Sequence, residues 1–343
     1  MNIQIFDLYL SGYSEKEYLD FLSKFHKDSA VFRYYNRGRW YKLMPGYIII
    51  IAVIDGKIVG QASAYKTTVI IKGKKEDLWW GVDTYVLSEY RGKGIGKKLQ
   101  LYLHEHCPNF SSIWYSPTNG IVKKKCGANE LFKVQFSYFP VSKFFGVILE
   151  LAIQKIFHKK FIVHSRIPFV YFYFNKLFKK SCKYSEITFN DLDFNFIKES
   201  LRQFDFYIER SYDYMHWKYA LNPSLRYIIL KVEKSNKMAY VFCSIAHECT
   251  YIATKIVGAK ILDIFTQENG INKLDVILTV ISYFKSKHII IDGIMSIESL
   301  SYLPKFVYPY PNTAFLSTIK ADNICSPYVA YSDQDMEQMY INR

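Results

Sequence analysis

The segment from Val82 to Leu99, VDTYVLSEYRGKGIGKKL, holds the residues whose types and spacing point most directly to chemistry. An apolar run ends at Val86, a turn with Arg91, Gly92, Lys93, Gly94, Ile95 and Gly96 follows, and a helical pattern opens at Lys97. Glycines leave the backbone N–H groups of such a turn unobstructed, and the N–H groups at the head of the helix point the same way, so together they make a seat for an anion. The helix dipole adds about 0.3–1 kcal/mol for a negative charge there. Arg91, Lys93, Lys97 and Lys98 are placed to add charge-assisted hydrogen bonds. A pyrophosphate suits this description. Two familiar pyrophosphate turns are excluded by spacing: the Gly-Lys-Ser/Thr ending of a P-loop is absent, and glycines at 92, 94 and 96 do not make Gly-x-Gly-x-x-Gly.

The elements that must hold this turn are legible from period and punctuation. A helix is expected from Ser14 through SEKEYLDFLSKF, which has an acidic first turn and apolar positions at helical spacing. Between Tyr47 and Ile71, Asp55-Gly56 separates two β-branched runs, a strong hairpin signal. Leu78 to Val86 reads as the strand that enters the turn, and KKLQLYLHEH as the helix that leaves it. A strand SSIWYSP, a short helix after Asn119 and a last strand LFKVQFSYF complete this part.

From about Tyr184 the order repeats. Trp217, Tyr219 and Pro223 stand before YIILKV as Trp40, Tyr41 and Pro45 stand before YIIIIAV; IDGKIVG matches EKSNKMAYV, and GVDTYV matches ILDIFT. Val53 pairs with Val232 and Asp83 with Asp263, offsets of about 180 residues, which implies a tandem duplication. Residues 141–183 lie between the repeats and carry nine Lys/Arg against one acid, Glu150. Basic clusters interleaved with FFGVILELAIQKIF and IPFVYFYFNKLF suit an interfacial helix on an anionic membrane. They suit equally a connector that packs its apolar face on both domains while the lysines stay solvated.

Length and composition agree with two domains. At 343 residues, half of them apolar, the chain is too long for one small module and too apolar for a disordered one. A net charge of +14 favours anionic partners without choosing among them. Six scattered cysteines form no C-x-x-C pair and no zinc-like spacing with histidine, so reduced thiols in a cytoplasmic protein and no metal are expected. The N-terminus lacks a basic region followed by an apolar core, and no stretch reaches the ~18–20 apolar residues of a membrane span.

The pattern Arg91-x-x-Gly94-x-Gly96 after a strand, flanked by Val86, Tyr90 and Ile95, resembles the cofactor turn of the GNAT superfamily of acyl-CoA-dependent acyltransferases. SPTNGIVKKKCGA and the element order extend the likeness over about residues 1–140. The resemblance implies an α/β (α+β) fold of two GNAT-like domains, each a mixed, mostly antiparallel twisted sheet flanked by helices. The division expected is 1–140 for the acyl-CoA domain, 141–183 for the connector and 184–343 for a degenerate second domain. It also implies roles. Thr84, Tyr85 and Val86 would line the acyl end, and Gly92, Lys93, Gly94, Ile95, Gly96 and Lys97 would join Arg91 at the pyrophosphate of acetyl-CoA or another short acyl-CoA. The Val86 N–H would polarise the thioester carbonyl. Asp83, on the same strand, is the best placed carboxylate to deprotonate an acceptor amine. His104 and His106, at the far end of the helix, read as solvated. Asn119 either contacts pantetheine or caps its helix. The family's general acid, often a tyrosine, has no counterpart: counting from Asn119 gives Cys126 and counting back from Gly127 gives Lys123.

In the second repeat the matching segment, ILDIFTQENGINKLDV, has a lone Gly270, no arginine at the needed spacing, and Glu268 to oppose a pyrophosphate, so no acyl-CoA is expected there. ERSYDYMHWKYALNP offers Arg210, Trp217 and Tyr219 either for a polar acceptor or as anchors of the domain core. The function expected is transfer of an acetyl group to an amine of a small molecule such as an amino sugar or nucleotide sugar of surface polysaccharide, by direct attack. Two other readings stand beside it: an aminoacyl-tRNA-dependent transferase of tandem GNAT type, and a basic protein that binds a membrane surface without catalysis. The partners expected are the small-molecule acceptor and, through residues 141–183, the inner face of an anionic membrane, with nucleic acid disfavoured.

Overall fold

A computed structural model describes residues 2–24, 39–44, 46–113, 115–133, 135–137, 182–222, 227–251, 254–287, 290–296, 314–319, 321 and 324–330. The chain divides into two compact units. The first comprises Met1–Lys133, Leu221–Ser224 and Pro311–Cys325; the second comprises Val134–Ala220, Leu225–Tyr310 and Ser326–Arg343.

The first unit is built on β1 (Gln4–Asp7), β2 (Ile48–Ile54), β3 (Lys57–Ile71), β4 (Lys74–Val86), β5 (Phe110–Ser112), β6 (Asn129–Lys133) and, from far down the chain, a strand at Ala314–Ser317. Strands β1 to β4 pair antiparallel in sequence order, and β4 pairs parallel with β5. Asp55 and Gly56 both have positive φ, 48° and 73°, the backbone that a two-residue hairpin needs. A second hairpin of this kind, at Lys72 (φ 48°) and Gly73 (φ 80°), joins β3 to β4, so the entering strand begins at Lys74 rather than at Leu78. Its first four residues, Lys74 to Asp77, are exposed and charged, which hides the strand from an apolar-pattern reading.

Helix α1 (Glu15–Ser23) starts at a capping box: the Ser14 hydroxyl accepts the Glu17 N–H and the Glu17 carboxylate accepts the Ser14 N–H at 2.8 Å. It buries Tyr18, Phe21 and Leu22. A short α2 (Arg39–Lys42) places Trp40 and Tyr41 in the interior. Helix α3 (Ile95–His106) lays Ile95, Leu99 and Leu103, spaced four apart, onto the sheet, all essentially without exposure. Each such burial contributes about 1.5–3 kcal/mol, so Leu99→Ala alone would cost about 2–5 kcal/mol. Helix α4 (Pro117–Lys125) begins one residue after its cap, Ser116, with proline at its first position.

The second unit repeats the order. It contains β7 (Gln135–Ser137), β8 (Lys183–Ile187), α5 (Phe194–Leu201), β9 (Phe206–Ile208), and α6 (Tyr212–Met215), which runs into a π-helical turn at His216–Ala220. Then come β10 (Tyr227–Lys234), β11 (Lys237–Tyr251), β12 (Thr254–Thr266), α7 (Lys273–Ser286), and β13 (Ile290–Ser296). Strands β8, β10, β11 and β12 are antiparallel neighbours, and β12 pairs parallel with β13 as β4 does with β5. Ser235 and Asn236, both at positive φ, turn β10 into β11 as Asp55 and Gly56 turn β2 into β3.

Two departures from the sequence reading concern which strand joins which sheet. The last strand expected at LFKVQFSYF is two strands: β6 stays with the first unit, and β7 pairs with β13 in the second. Conversely, β14 (Ala314–Ser317) lies between β5 and β6 of the first unit, although a division at residues 140 and 184 would assign it to the second. Its seat is made by a 2.6 Å hydrogen bond between the Ser111 and Ser317 hydroxyls and by Phe315, whose ring meets Trp80 and Phe132. A strand β15 (Pro327–Tyr328) pairs with β9. The connector 141–183, with its membrane reading, lies outside the described residues except for its last two. Among the described residues no helix is long and apolar enough to cross a membrane.

Candidate active site

The glycine-rich turn closes β4 onto α3. Gly92 and Gly94 both have φ of 78°, a conformation that suits glycine and strains other residues, and Gly94 is the N-cap of α3 with no side chain capping the helix. The first bond across this cap runs from the Lys98 N–H to the Gly94 carbonyl, which leaves the N–H groups of Ile95, Gly96 and Lys97 pointing forward from the helix. A Cβ added at Gly92, Gly94 or Gly96 would meet no atom within 4 Å. At Gly96, which is helical, neither backbone nor packing calls for glycine. The open space over these amides is a cradle that a side chain would fill, and it fits a phosphate. Lys97 and Lys98 are exposed on the first turn, and the Lys93 ammonium sits over the Tyr90 ring at 4.9 Å.

Arg91 has a further role that spacing alone does not give. Its Nε donates to the Val86 carbonyl at 3.1 Å, bracing the end of β4. The Leu87 N–H is bound to the Val59 carbonyl of β3, so by the alternation of an antiparallel ladder the N–H and C=O of Val86 face the opposite edge. The same alternation turns the Thr84 N–H that way. That edge is open: β4 and β5 share only the pairs Trp79↔Phe110 and Trp80↔Ser111, and β4 continues to Val86 beyond them. The two strands therefore part just where the expected thioester-contacting residues Thr84, Tyr85 and Val86 begin.

A β-bulge sets the side chains of this stretch. Gln61 pairs with Tyr85 and Ser63 with Val82, so Asp83 and Thr84 together oppose Ala62, and Asp83 takes a φ of 45°. Thr84 thus faces α3, where its hydroxyl accepts from Gln100 Nε2 at 3.3 Å, while Asp83 and Tyr85 share the opposite face. There the Tyr85 hydroxyl donates to Asp83 Oδ1 at 3.0 Å, and Gln61 Nε2 donates to the Asp83 carbonyl at 3.3 Å. The buried Tyr18 hydroxyl donates to Gln61 Oε1 at 2.6 Å. Burial raises the Tyr18 phenol well above its ordinary value, with Tyr47, Asp83, Tyr9 and Tyr85 acting in the same direction. Asp83 is part-exposed, and its carboxylate accepts from the Tyr85 phenol. Tyr18 and Gln61 escaped the sequence reading because nothing in an amphipathic helix or a β run marks which polar residue will face a bulge.

On the α3–α4 side, Phe110 gathers His104 and Lys123. The His104 ring lies 4.9 Å from the Phe110 ring and its Nδ1 shares a 2.8 Å hydrogen bond with the Cys126 carbonyl. It is half-buried rather than solvated as expected, and that burial lowers its pKa. His106 matches that expectation better: it is exposed and stacks on Tyr102. The Lys123 ammonium lies 4.8 Å from the centre of the Phe110 ring, and burial brings its pKa down to about 7. Burial pushes the Cys126 thiol up, with the nearby Lys97 and Lys123 acting the other way. Asn119 does not cap α4; Ser116 does, by accepting the Asn119 N–H at 3.2 Å, and Asn119 is half-buried. Among the described residues no three His, Cys, Asp or Glu side chains gather as for a metal ion.

The corresponding turn of the second unit is closed on itself. The Gly270 N–H is bound to the Gln267 carbonyl at 2.8 Å, and a Cβ on Gly270 would fall 2.5 Å from Thr266 Oγ1, which donates to the Ile271 carbonyl. No open cradle is left. The residues considered for an acceptor are interior: Arg210, Trp217 and Tyr219 are each under 5% exposed. Arg210 Nη2 lies 3.2 Å from Asp263 Oδ1, the Tyr328 hydroxyl donates to the same oxygen at 2.8 Å, and the Tyr219 hydroxyl donates to Oδ2. Asp263 follows the bulge of β12, the counterpart of Asp83, and this buried carboxylate draws Arg210 and Tyr219 inward. Of the two readings open to them, acceptor contact or anchor of the domain core, their burial gives the second, and Arg210, Trp217 and Tyr219 are removed from the acceptor site.

Residues 6–119 match the acetyltransferase (GNAT) family. No curated protein matches the chain in sequence. Among solved structures, a GCN5-related N-acetyltransferase from Anabaena variabilis is 13% identical, with 94% of this chain and 74% of that one covered and a TM-score of 0.54. The N-myristoyltransferase of Saccharomyces cerevisiae with bound myristoyl-CoA is 12% identical over 92% and 78% of the two chains, with a TM-score of 0.56. A tandem GNAT protein from the clavulanic acid biosynthesis pathway is 10% identical over 94% and 100%, with a TM-score of 0.52. The family match thus lies within the first unit, and the chain as a whole shares the fold of these solved structures, a mixed α/β fold with mostly antiparallel twisted sheets flanked by helices.

Proposed function

We propose that the first unit is an acyl-CoA-dependent N-acyltransferase that takes acetyl-CoA or another short acyl-CoA and acylates an amine on a small molecule. The observation that carries this reading is the uncapped head of α3 beneath three glycines, with the open edge of β4 beside it. Bound acyl-CoA would supply an activated thioester carbonyl. The amides of Gly92 to Lys97 hold a diphosphate, and Lys97 and Lys98 add charge. The N–H groups of Thr84 and Val86 face the opening and bind carbonyl oxygens there, with Val86 fixed by Arg91. Asp83 lies on the other face of the strand, where an acceptor amine loses its proton to the carboxylate before attack. The intact turn favours acyl-CoA over an aminoacyl-tRNA donor.

An amino sugar or nucleotide sugar remains the acceptor class proposed, by analogy with tandem folds of this superfamily. The test follows release of the CoA thiol from acetyl-CoA with a panel of amino sugars, in wild type and Asp83→Asn. Acceptor-dependent release that falls at least tenfold in the variant is expected. Turnover of Asp83→Asn that stays near wild type across pH removes Asp83 as the base, and absence of release with every amino sugar removes that acceptor class.

A further inference from the structure

Regular alternation along β4 would send Asp83 to the α3 side of the sheet. A Cβ on Gly60 would meet Ile95 and Leu99 of α3, so the next residue of β3, Gln61, faces away from that helix, as does Ser63. Their ladder partners Tyr85 and Val82 share this face. Asp83, which follows Val82, would then point back toward α3. The bulge prevents it: Asp83 takes its φ of 45°, a conformation that strains a residue other than glycine, and its carboxylate lies on the Tyr85 side, where the phenol donates to Oδ1 at 3.0 Å.

The bulge is held from two directions. Gln61, buried at 3% exposure, donates through Nε2 to the Asp83 carbonyl and is itself fixed by the buried Tyr18 hydroxyl at its Oε1. Gln61 therefore holds the main chain of Asp83 and Tyr85 holds the side chain, and these two residues stand opposite each other in the ladder. Asp83 and Tyr85 are both half-buried, so the pair sits at the surface of the face where an acceptor would approach. Packing alone would be served by phenylalanine at position 85; the hydroxyl is the part that reaches the carboxylate.

We propose that Tyr85 is a positioning residue for acyl transfer, its phenol fixing the Asp83 carboxylate in the orientation from which it takes the acceptor's proton. The proposal rests on the reading of Asp83 as the base, and its test separates the two. A base must stand about 2.6–3.2 Å from the atom it deprotonates, and a carboxylate that turns about both its side-chain bonds is seldom so placed. A hydrogen bond to a charged acceptor, roughly twice as strong as a neutral one, removes that freedom.

The test is a cycle of Tyr85→Phe, Asp83→Asn and the double variant, read as release of the CoA thiol from acetyl-CoA with the amino sugar that wild type acylates fastest. Tyr85→Phe is expected to lower kcat about tenfold with the KM for acetyl-CoA within twofold of wild type, and the double variant to match Asp83→Asn within twofold, because a residue that acts only through another then has nothing left to act on. Losses that multiply in the double variant overturn the proposal, as does wild-type kcat in Tyr85→Phe. Loss of acetyl-CoA binding together with turnover in Tyr85→Phe also overturns it, being the signature of a structural role. Asp83→Asn at the wild-type rate removes the base, and the role of Tyr85 with it, while the acyl-CoA reading stands. Absence of release with every amino sugar overturns the proposed function and this role together.

Discussion

The ring of Phe110 occupies the space of a side chain at Gly81: a Cβ built there would lie 2.2 Å from Phe110 Cζ. Gly81 is the first residue of β4 past its last pair with β5, and Phe110 starts β5, so the ring crosses between the strands at the point where they part. The same ring carries His104 and Lys123 on its other contacts. The opening along β4 is therefore wedged by a large side chain against an absent one.

Gly81→Ala should accordingly destabilise the protein by about 1–3 kcal/mol, the cost of overpacking a filled interior. Phe110→Leu, which shortens the ring, should recover part of that loss in the double variant. Urea denaturation of the four proteins gives the coupling; strict additivity of the two substitutions would mean that the contact does not hold the strands as described.

Lys123 makes stability depend on pH. Burial lowers its pKa from an ordinary 10.5 to about 7, so between those values the unfolded chain binds more protons than the folded one, and stability rises with pH across that window. Lys123→Met should flatten the slope and raise stability at pH 7 by about 1–4 kcal/mol, as replacement of buried charges by apolar groups often does. Denaturation curves at several pH values between 7 and 10 measure it, and an unchanged slope in the variant would place the pH dependence elsewhere.

In the second unit, Asp263 gathers Arg210, Tyr219 and Tyr328 around one buried carboxylate. Asp263→Ala leaves the Arg210 guanidinium buried without that partner and should cost about 3–5 kcal/mol. Asp263→Asn, which keeps the shape and an acceptor oxygen, should cost less. Thermal unfolding of both variants gives the order, and a mild Asp263→Ala would show that the cluster is not the anchor described.

Local signals carried far in this sequence, and long-range ones did not. The glycine turn was legible because Gly92 and Gly94 sit where positive φ is required and Gly96 opens the helix beside them with open space before it, all within five residues. Asp55-Gly56 and Ser235-Asn236 are likewise local, and the repeat of element order followed from them. The insertion of β14 between β5 and β6 depends on a pairing of Ser317 with Ser111 some 200 residues away, which no window of sequence contains. Arg210 and Tyr219 looked like acceptor contacts because they are polar and clustered in sequence; the bulged carboxylate that takes them inward lies about 50 residues on. Gln100 was invisible for the opposite reason, being a polar residue on a helix whose burial only the fold reveals.

The most direct measurement of the central claim is a calorimetric titration of CoA into wild type and Gly96→Phe. Gly96 is helical and has open space before it, so the variant should fold at least as stably as wild type, since glycine inside a helix costs roughly 0.5–1 kcal/mol relative to alanine. The phenyl group nevertheless stands over the amides of the turn. Saturable binding to wild type and loss of it in a stably folded Gly96→Phe is the predicted result; CoA binding of equal strength in both proteins would contradict the account.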